Sequence, residues 1–125
     1  MGNRMKTILV VDDDEMILKM AEFILQQEGY EVVKCLSGMS CLEYLKHGKA
    51  DLILLDVEMP IMTGLQTLEI LRANEDFVNI PVMFFTASAD VETVAAACSL
   101  GAVEYVVKPF MPQDLADRVK KILRF

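Results

Sequence analysis

Short runs of apolar and β-branched residues alternate with longer segments of helical periodicity along the chain. The short runs predict strands over residues 7–11, 31–35, 52–55, 80–85 and 103–107. The longer segments predict helices over residues 15–28, 38–46, 64–72, 91–100 and 112–123. Five strand–helix units of this length predict an α/β domain, in which a parallel sheet is covered by helices on both faces.

The distribution of charge among the strands predicts their order in the sheet. Strands one, three and four are continuous apolar runs, as is typical of strands buried on both faces. Strand two carries Glu31 and Lys34 and strand five carries Glu104, which is typical of sheet edges. The order 2-1-3-4-5 fits both observations and defines a flavodoxin-like doubly wound sheet. Such sheets bind ligands at the carboxyl ends of the strands beside the switch point, here between strands one and three.

The first predicted helix is amphipathic. One of its sides is marked by residues at helical spacing, namely Met16, Met20, Phe23 and Gln27, with Ile17 and Ile24 reinforcing it. Gly29 follows at the position where a left-handed residue commonly ends a helix.

Composition and charge narrow the class of protein. The 125 residues fit one domain, and 54% hydrophobic with 25% charged residues is a globular balance. No apolar run approaches the roughly 20 residues that a membrane span needs. The net charge of -7 argues against a nucleic-acid surface. Three scattered cysteines without metal-ligand spacing predict reduced thiols and a cytoplasmic location.

The domain is expected to occupy residues 6–125. Residues 1–5 are too short and too polar for a secretory signal. We interpret them as a disordered native start or a remnant of cloning.

Polar residues cluster at the predicted strand ends. Asp12, Asp13 and Asp14 follow strand one, and Asp56 ends strand three; Thr86 ends strand four and Lys108 ends strand five. Carboxylates that converge in this way repel one another unless a cation compensates them. Oxygen ligands without Cys or His indicate Mg²⁺, and a hydroxyl and an ammonium suit phosphate oxygens. An Asp carboxylate can then act as the nucleophile in phosphoryl transfer, and Asp56 is the best candidate because it ends the central strand.

Each of these residues has a simpler interpretation when taken alone. Asp13 or Asp14 could cap the following helix, Thr86 could be a turn hydroxyl, and Lys108 could be a solvated lysine. Four such accidents at one edge of the sheet are far less expected than any one of them.

The motifs at these strand ends resemble those of the receiver domains of two-component response regulators. The resemblance extends over residues 6–123 and rests on four motifs in order: Val11-Asp12-Asp13-Asp14, Leu55-Asp56-Val57-Glu58-Met59-Pro60, Thr86-Ala87 and Lys108-Pro109-Phe110. Each motif is weak alone, whereas the four together at these element boundaries are highly specific.

The resemblance implies a role for each residue of the site. Asp56 would be the phosphoacceptor and Asp13 a direct Mg²⁺ ligand, while Asp12 would hold the metal partly through water. The backbone carbonyl of Val57 would complete the protein ligands. Thr86 and Lys108 would contact the phosphoryl group, and the Lys108–Pro109 peptide bond would be cis.

The resemblance also implies a switch and its partners. On phosphorylation Thr86 would move towards the phosphate and Tyr105 would rotate inward, which would change the surface of helix four, strand five and helix five. The donor would be a phosphohistidine on a sensor histidine kinase or histidine phosphotransfer protein that docks near the first helix. The switched surface would act on a target protein or a fused output domain, as a monomer or a phosphorylation-dependent dimer. Tyr105 could instead simply pack as an edge-strand aromatic residue.

Two further positions would tune the lifetime of the phosphorylated state. Glu58 lies two residues after the acceptor and Ser88 two residues after Thr86, where the family controls the access of water to the acyl phosphate. Glu58 could shield the phosphate, approach the metal or repel the attacking water, and the sequence does not decide among these.

Other functional classes fit less well. A Mg²⁺-dependent phosphatase with an aspartate nucleophile would need a D-x-D pattern after its first strand and usually a cap domain, for which 125 residues leave little room. A degenerate receiver that acts as a phosphorylation-independent interaction module would lack key residues that this chain has. A flavin-binding protein would carry a Ser/Thr/Gly-rich first loop in place of the aspartates. We therefore expect a signalling switch that assists its own phosphorylation and dephosphorylation rather than an enzyme with an external product.

Overall fold

The computed structural model of the chain describes residues 5–87 and 91–124. The strands are β1 (Thr7–Val11), β2 (Glu31–Cys35), β3 (Leu52–Asp56), β4 (Val82–Thr86) and β5 (Glu104–Val107). The helices are α1 (Glu15–Gln27), α2 (Gly38–Leu45), α3 (Gly64–Ala73), α4 (Val91–Ser99) and α5 (Pro112–Leu123). The predicted alternation of five strands and five helices is thus confirmed, with differences of one or two residues at several ends.

The five strands form one parallel sheet in the order β2-β1-β3-β4-β5. Every residue of β1, β3 and β4 is buried, whereas the edge strands β2 and β5 are largely accessible. The predicted fold class and strand order are thus confirmed. The pattern was informative because strands that helices cover on both faces consist almost entirely of apolar residues.

The core consists of two layers, one on each face of the sheet. Alternate strand residues point to opposite faces, so that Leu54 lies in the layer under α1 and α5, while Leu55 lies in the layer with α2 and α3. α4 contributes only Ala97 as a buried residue. The sheet is therefore firmly covered by four helices and lightly covered by the fifth.

The amphipathic side predicted for α1 is right for Ile17 and Ile24, which pack in or against the core, and wrong for its other apolar residues. Met16, Met20 and Phe23 are 66%, 41% and 65% exposed, and the residues that pack on the sheet are Leu18, Ala21, Ile24 and Leu25. Both sets follow helical spacing, and the single sequence does not rank them. Met16, Met20 and Phe23 therefore form an apolar stripe of α1 that is in contact with solvent.

β4 begins two residues later than predicted and continues through Thr86. Pro81 has no N–H with which to join a central strand, which accounts for the late start. Thr86 pairs with Val107 of β5, and Asp56 pairs with Phe85 of β4. Both candidate site residues are therefore held in the sheet itself. No helix among the described residues is long and apolar enough to span a membrane.

Candidate functional site

Adjacent central strands bring the acidic residues together. Val11 pairs with Leu55, so Asp12 and Asp56 are the next residues at the same edge of the sheet. The backbone N–H of Asp12 donates to the Cys35 carbonyl at 3.0 Å, which extends the ladder by one residue. Asp12 is fully buried and Asp56 is almost so. These two carboxylates have a fixed position because their backbones belong to the sheet.

The three consecutive aspartates divide their roles. Asp14 is the N-cap of α1, and its Oδ1 accepts from the Met16 N–H at 2.9 Å. Asp12 Oδ1 accepts from the Asp14 N–H at 2.9 Å, which orients the turn. The capping role left open between Asp13 and Asp14 thus belongs to Asp14. Asp13 is exposed at the rim of the site.

Asp12, Asp13 and Asp56 form one acidic cluster. Each offers a carboxylate oxygen, and the three oxygens lie within 4.8 Å of one another. Lys108 extends into this cluster from the end of β5, with its Nζ 2.7 Å from Asp12 Oδ2 and 3.3 Å from Asp56 Oδ1. The first contact is an ion pair without hydrogen-bond alignment, because Asp12 Oδ2 lacks a hydrogen-bond partner.

The electrostatics of the cluster favour an additional cation. Burial raises the pKa of Asp56 to about 6, and the charge of Asp12 adds to this, while Lys108 and the Glu58 backbone N–H act in the opposite direction. Burial alone would lower the pKa of Lys108, but its contacts with Asp12 and Asp56 outweigh this and raise it. Asp56 thus carries its charge at a cost that Lys108 only partly offsets.

The donor set fits a divalent cation that prefers oxygen. Three carboxylates and one ammonium leave two formal negative charges, which one such ion neutralises. The described cluster contains no sulfur or imidazole ligand, and hard oxygen donors are those that Mg²⁺ prefers. The Val57 carbonyl accepts from the Gly64 N–H at 2.9 Å, and its second lone pair is compatible with a further contact.

Gly64 has a steric role that the sequence did not reveal. It begins α3, and a Cβ at this position would overlap the backbone carbonyl of Asp56. The start of α3 therefore lies directly against the backbone of Asp56 and Val57.

Thr86 and Lys108 approach the acceptor from neighbouring strands. Thr86 is buried at the end of β4, and its backbone carbonyl accepts from the Lys108 N–H at 2.8 Å. The Lys108–Pro109 peptide bond is cis, the geometry that the resemblance implies. The structure thus brings together Asp12, Asp13, Asp56 and Lys108, with Thr86 on the strand between the acceptor and the lysine.

An aromatic pair supports Lys108. The rings of Phe85 and Phe110 stack with centroids 5.4 Å apart, and Lys108 Nζ lies 5.9 Å from the Phe85 centroid. Phe85 is also the ladder partner of Asp56. The sequence placed Phe110 in a motif but gave no signal for its contact with Phe85, because the two residues lie on different elements.

Tyr105 lies apart from the acidic cluster, near the middle of β5 and opposite Phe84. It is partly exposed and lines a pocket of about 190 Å³ between α4 and the sheet. Thr86 lines the same pocket, together with Val94 and Ala97 of α4. The pocket is thus lined both by Thr86 of the site and by Tyr105 of the edge strand.

Glu58 and Ser88 are the two positions predicted to tune the lifetime of the phosphorylated state. Glu58 is exposed, and its backbone N–H donates to the Asp56 carboxylate. Ser88 lies outside the described residues.

Comparisons with known proteins identify the family. The model of the response regulator receiver domain family matches residues 8–120. The chain belongs to this family, whose members act as signalling switches in two-component systems and accept phosphoryl groups.

Individual relatives support this assignment. The DNA-binding response regulator MtrA of Mycolicibacterium smegmatis is 35% identical over 124 residues, which cover 99% of this chain and 53% of MtrA. The alkaline phosphatase synthesis transcriptional regulatory protein PhoP of Bacillus subtilis is 36% identical over 119 residues, or 95% and 49% of the two chains. The structure of chemotaxis protein CheY4 of Vibrio cholerae matches with a TM-score of 0.91 at 30% identity, covering 95% of this chain and 99% of CheY4. The chain spans about half the length of the curated relatives that it matches.

Proposed function

We propose that this chain is a Mg²⁺-dependent switch that accepts a phosphoryl group on Asp56. The observation that carries the proposal is the convergence of three carboxylates within 4.8 Å, with Lys108 in contact with two of them. Mg²⁺ would be held by Asp13, Asp56 and the Val57 carbonyl, with Asp12 contributing partly through water. When bound, the ion would supply positive charge to the oxygens of the transferred phosphoryl group.

The side chains of the site divide the transfer among them. A carboxylate oxygen of Asp56 attacks phosphorus, an O–P bond forms, and the bond between phosphorus and the donor nitrogen breaks. Lys108 leaves its contacts with Asp12 and Asp56 and donates to a phosphoryl oxygen, and the Thr86 hydroxyl donates to another. Burial of Asp56 excludes bulk water from the acyl phosphate, and Glu58 and Ser88 tune the access that remains.

The apolar stripe of α1 supports a docking site for the phosphoryl donor. Met16, Met20 and Phe23 are exposed on a helix that begins directly after the acidic run. An exposed apolar stripe of this kind suits a partner that presents a helical surface. The donor would be a phosphohistidine on a sensor histidine kinase or a histidine phosphotransfer protein.

The pocket beside Tyr105 supports a route from the site to the surface. Thr86 and Tyr105 both line it, and Tyr105 would enter its volume of about 190 Å³ when Thr86 moves towards the phosphate. The surface of α4, β5 and α5 would then change and act on a target protein or a fused output domain. The domain would be a monomer, or a dimer that forms on phosphorylation.

The family and the net charge support a proposal about where the domain acts and what it does not bind. The net charge of -7 supports a domain that does not itself bind nucleic acid, and we place it in the cytoplasm without contact to membranes. The domain assists its own phosphorylation and dephosphorylation and makes no external product. A phosphorylation-independent interaction module is the alternative that the following experiment excludes or favours.

The test measures the intact mass after incubation with acetyl phosphate, with and without Mg²⁺. We expect a gain of roughly 80 Da that requires Mg²⁺ and is absent in Asp56→Asn. Asp14→Asn is the matched control, because it removes one charge from the same acidic run while asparagine still caps α1. If no adduct forms and beryllofluoride also fails to bind, the active switch is excluded and the interaction module is favoured.

A further inference from the structure

Arg72 makes an unusual set of contacts at the end of α3. Its Nε donates to the Leu100 carbonyl at 2.9 Å and its Nη2 to the Gly101 carbonyl at 3.2 Å. Its Nη1 donates to the carbonyls of Val78 at 3.2 Å and Ile80 at 3.1 Å. One guanidinium therefore binds four backbone carbonyls in two separate segments.

The two segments lie on either side of α4 in the chain. Val78 and Ile80 precede β4, while Leu100 and Gly101 follow the last residue of α4. Gly101 has a φ of +86°, and a Cβ there would lie 3.2 Å from Arg72 Nε. The turn after α4 is thus fitted to the guanidinium both in backbone conformation and in space.

Arg72 is committed to these carbonyls. None of the ion pairs found within residues 5–87 and 91–124 involves it. Burial lowers the pKa of Arg72, although arginine remains charged at neutral pH. A planar fork with five N–H donors can bind several carbonyls at once, which a lysine ammonium cannot match in this geometry.

The rest of α4 is held much less firmly. Ala97 is its only described buried residue, and the pocket of about 190 Å³ lies between the helix and the sheet. In the sequence, α4 follows Thr86, the hydroxyl residue of the site. α4 is therefore fixed at its carboxyl end, while Val94 and Ala97 on its inner side border the pocket.

We infer that Arg72 is the hinge of α4, a positioning residue that fixes the carboxyl end of the helix so that a displacement near Thr86 becomes a rotation of α4. The inference rests on the proposed switch and adds the point about which the helix turns. Without the hinge, α4 would loosen as a whole and would no longer report the state of Asp56.

Cys98 is a native reporter of α4. It is exposed near the carboxyl end of the helix, whereas Cys35 and Cys41 are buried. Burial raises the pKa of Cys35 and raises that of Cys41 to about 12, which suppresses their thiolates. The rate of alkylation of Cys98 by iodoacetamide, followed by mass, therefore measures the position and mobility of α4 in the unmodified chain.

The experiment compares Arg72→Lys and Arg72→Gln with the wild type. In the resting state we expect both variants to be alkylated at Cys98 about fivefold faster or more, because the carboxyl end of α4 is released. Rotation is read at Val91→Cys, at the opposite end of α4, because Cys98 lies beside the hinge. Beryllofluoride with Mg²⁺ should change the alkylation rate of this added cysteine when Arg72 is present, and the ratio of its rates with and without beryllofluoride should fall to about one in both Arg72 variants. Phosphorylation of Asp56 by acetyl phosphate should persist, since Arg72 does not belong to the acidic cluster.

Two further variants make the result decisive. Arg118→Lys is the matched control for the resting rate: Arg118 binds Glu104, Asp114 and the Tyr105 carbonyl but no described residue of α4, so its resting alkylation rate should match the wild type. Gly101→Ala leaves Arg72 intact and disturbs its contact from the other side, and it should act in the same direction as Arg72→Lys. It also tests the hinge if the Arg72 variants do not fold.

The outcomes separate the hinge from the proposed function. Wild-type resting rates in Arg72→Lys and Gly101→Ala would overturn the hinge. A purely structural role for Arg72 would lower thermal stability but leave the beryllofluoride-dependent ratio intact, and this result would also overturn it. If Val91→Cys with Arg72 intact does not respond to beryllofluoride, the proposed switch fails, and the resting rates still decide whether Arg72 holds α4.

Discussion

The acceptor region and the α4 region of this domain are built in opposite ways. Asp56 is held in a sheet whose central strands β1, β3 and β4 are buried along their whole length. α4 buries one residue against the sheet, and most of β5 is accessible to solvent. The same sheet therefore supports a rigid chemical site at its centre and a loosely packed surface at its edge.

This difference suits a molecule that converts a local chemical change into a change of surface. Phosphoryl transfer depends on fixed positions of the reacting groups. A surface that changes must instead be drawn from the less stable parts of a fold. We therefore expect the same substitution to lower the free energy of unfolding more in the acceptor region than in the α4 region. Asp56 itself should be an exception, because its replacement should raise that free energy.

The largest expected effect comes from removing the same side chain in a central and an edge strand. Val10→Ala in β1 creates a cavity at a fully buried position and should lower the free energy of unfolding by about 2–3 kcal/mol. Val107→Ala in β5 removes a partly exposed side chain and should change it by less than about 0.5 kcal/mol. Urea denaturation of the two variants measures both values. Equal losses would contradict the contrast between the centre and the edge.

The centre of the fold was also the part that the sequence predicted best. Continuous apolar runs identified β1, β3 and β4, and the charges of Glu31, Lys34 and Glu104 identified the edges. Strand ends then indicated which polar side chains would meet, and Asp12, Asp13, Asp56 and Lys108 do lie together. These signals are reliable because a strand buried on both faces tolerates only apolar residues.

The peripheral features were less predictable for physical reasons. α1 has two apolar stripes, and only tertiary packing decides that Leu18, Ala21 and Leu25 face inward while Met16 and Phe23 do not. The contacts of Arg72 are made to backbone carbonyls up to 29 residues away. Every residue has such a carbonyl, so they leave no mark in the sequence.

The second prediction concerns the replacement of a buried alanine by leucine, once in the closely packed part of the fold and once in α4. Ala21→Leu in α1 adds volume to a closely packed layer and should lower the free energy of unfolding by about 1–3 kcal/mol. Ala97→Leu in α4 adds the same volume beside the pocket of about 190 Å³ and should change it by less than about 1 kcal/mol. Thermal unfolding of both variants measures the difference. A loss in Ala97→Leu as large as that in Ala21→Leu would mean that α4 is packed as closely as α1.

Ala97→Leu also sharpens the comparison functionally. The added side chain would occupy space that Tyr105 needs if it turns inward. We expect acetyl phosphate to modify Asp56 normally in this variant, while the change of tyrosine fluorescence on adding beryllofluoride and Mg²⁺ falls by about half or more relative to the wild type. Because Tyr30 and Tyr44 also emit, the signal of Tyr105 is the part that is lost in Tyr105→Phe. The matched variant Ala21→Leu should retain the fluorescence change, because it lies on α1.

The smallest expected effect on stability concerns Asp56 itself and has the opposite sign. Burial and Asp12 raise its pKa to about 6, so without a bound cation its charge destabilises the folded state at pH 7. Asp56→Asn should therefore raise the free energy of unfolding by about 1–2 kcal/mol at pH 7 in the presence of EDTA. Because an acid with a raised folded-state pKa destabilises only where it is ionised, the gain should vanish as the pH falls from about 6 towards 3.8. Mg²⁺ should stabilise the wild type and leave Asp56→Asn nearly unchanged, which chemical denaturation at both pH values measures. A loss of stability in Asp56→Asn at pH 7 would contradict this prediction, because it would show that Lys108 already neutralises the repulsion among the carboxylates. A bound cation would then have no unfavourable electrostatic energy to relieve in this region.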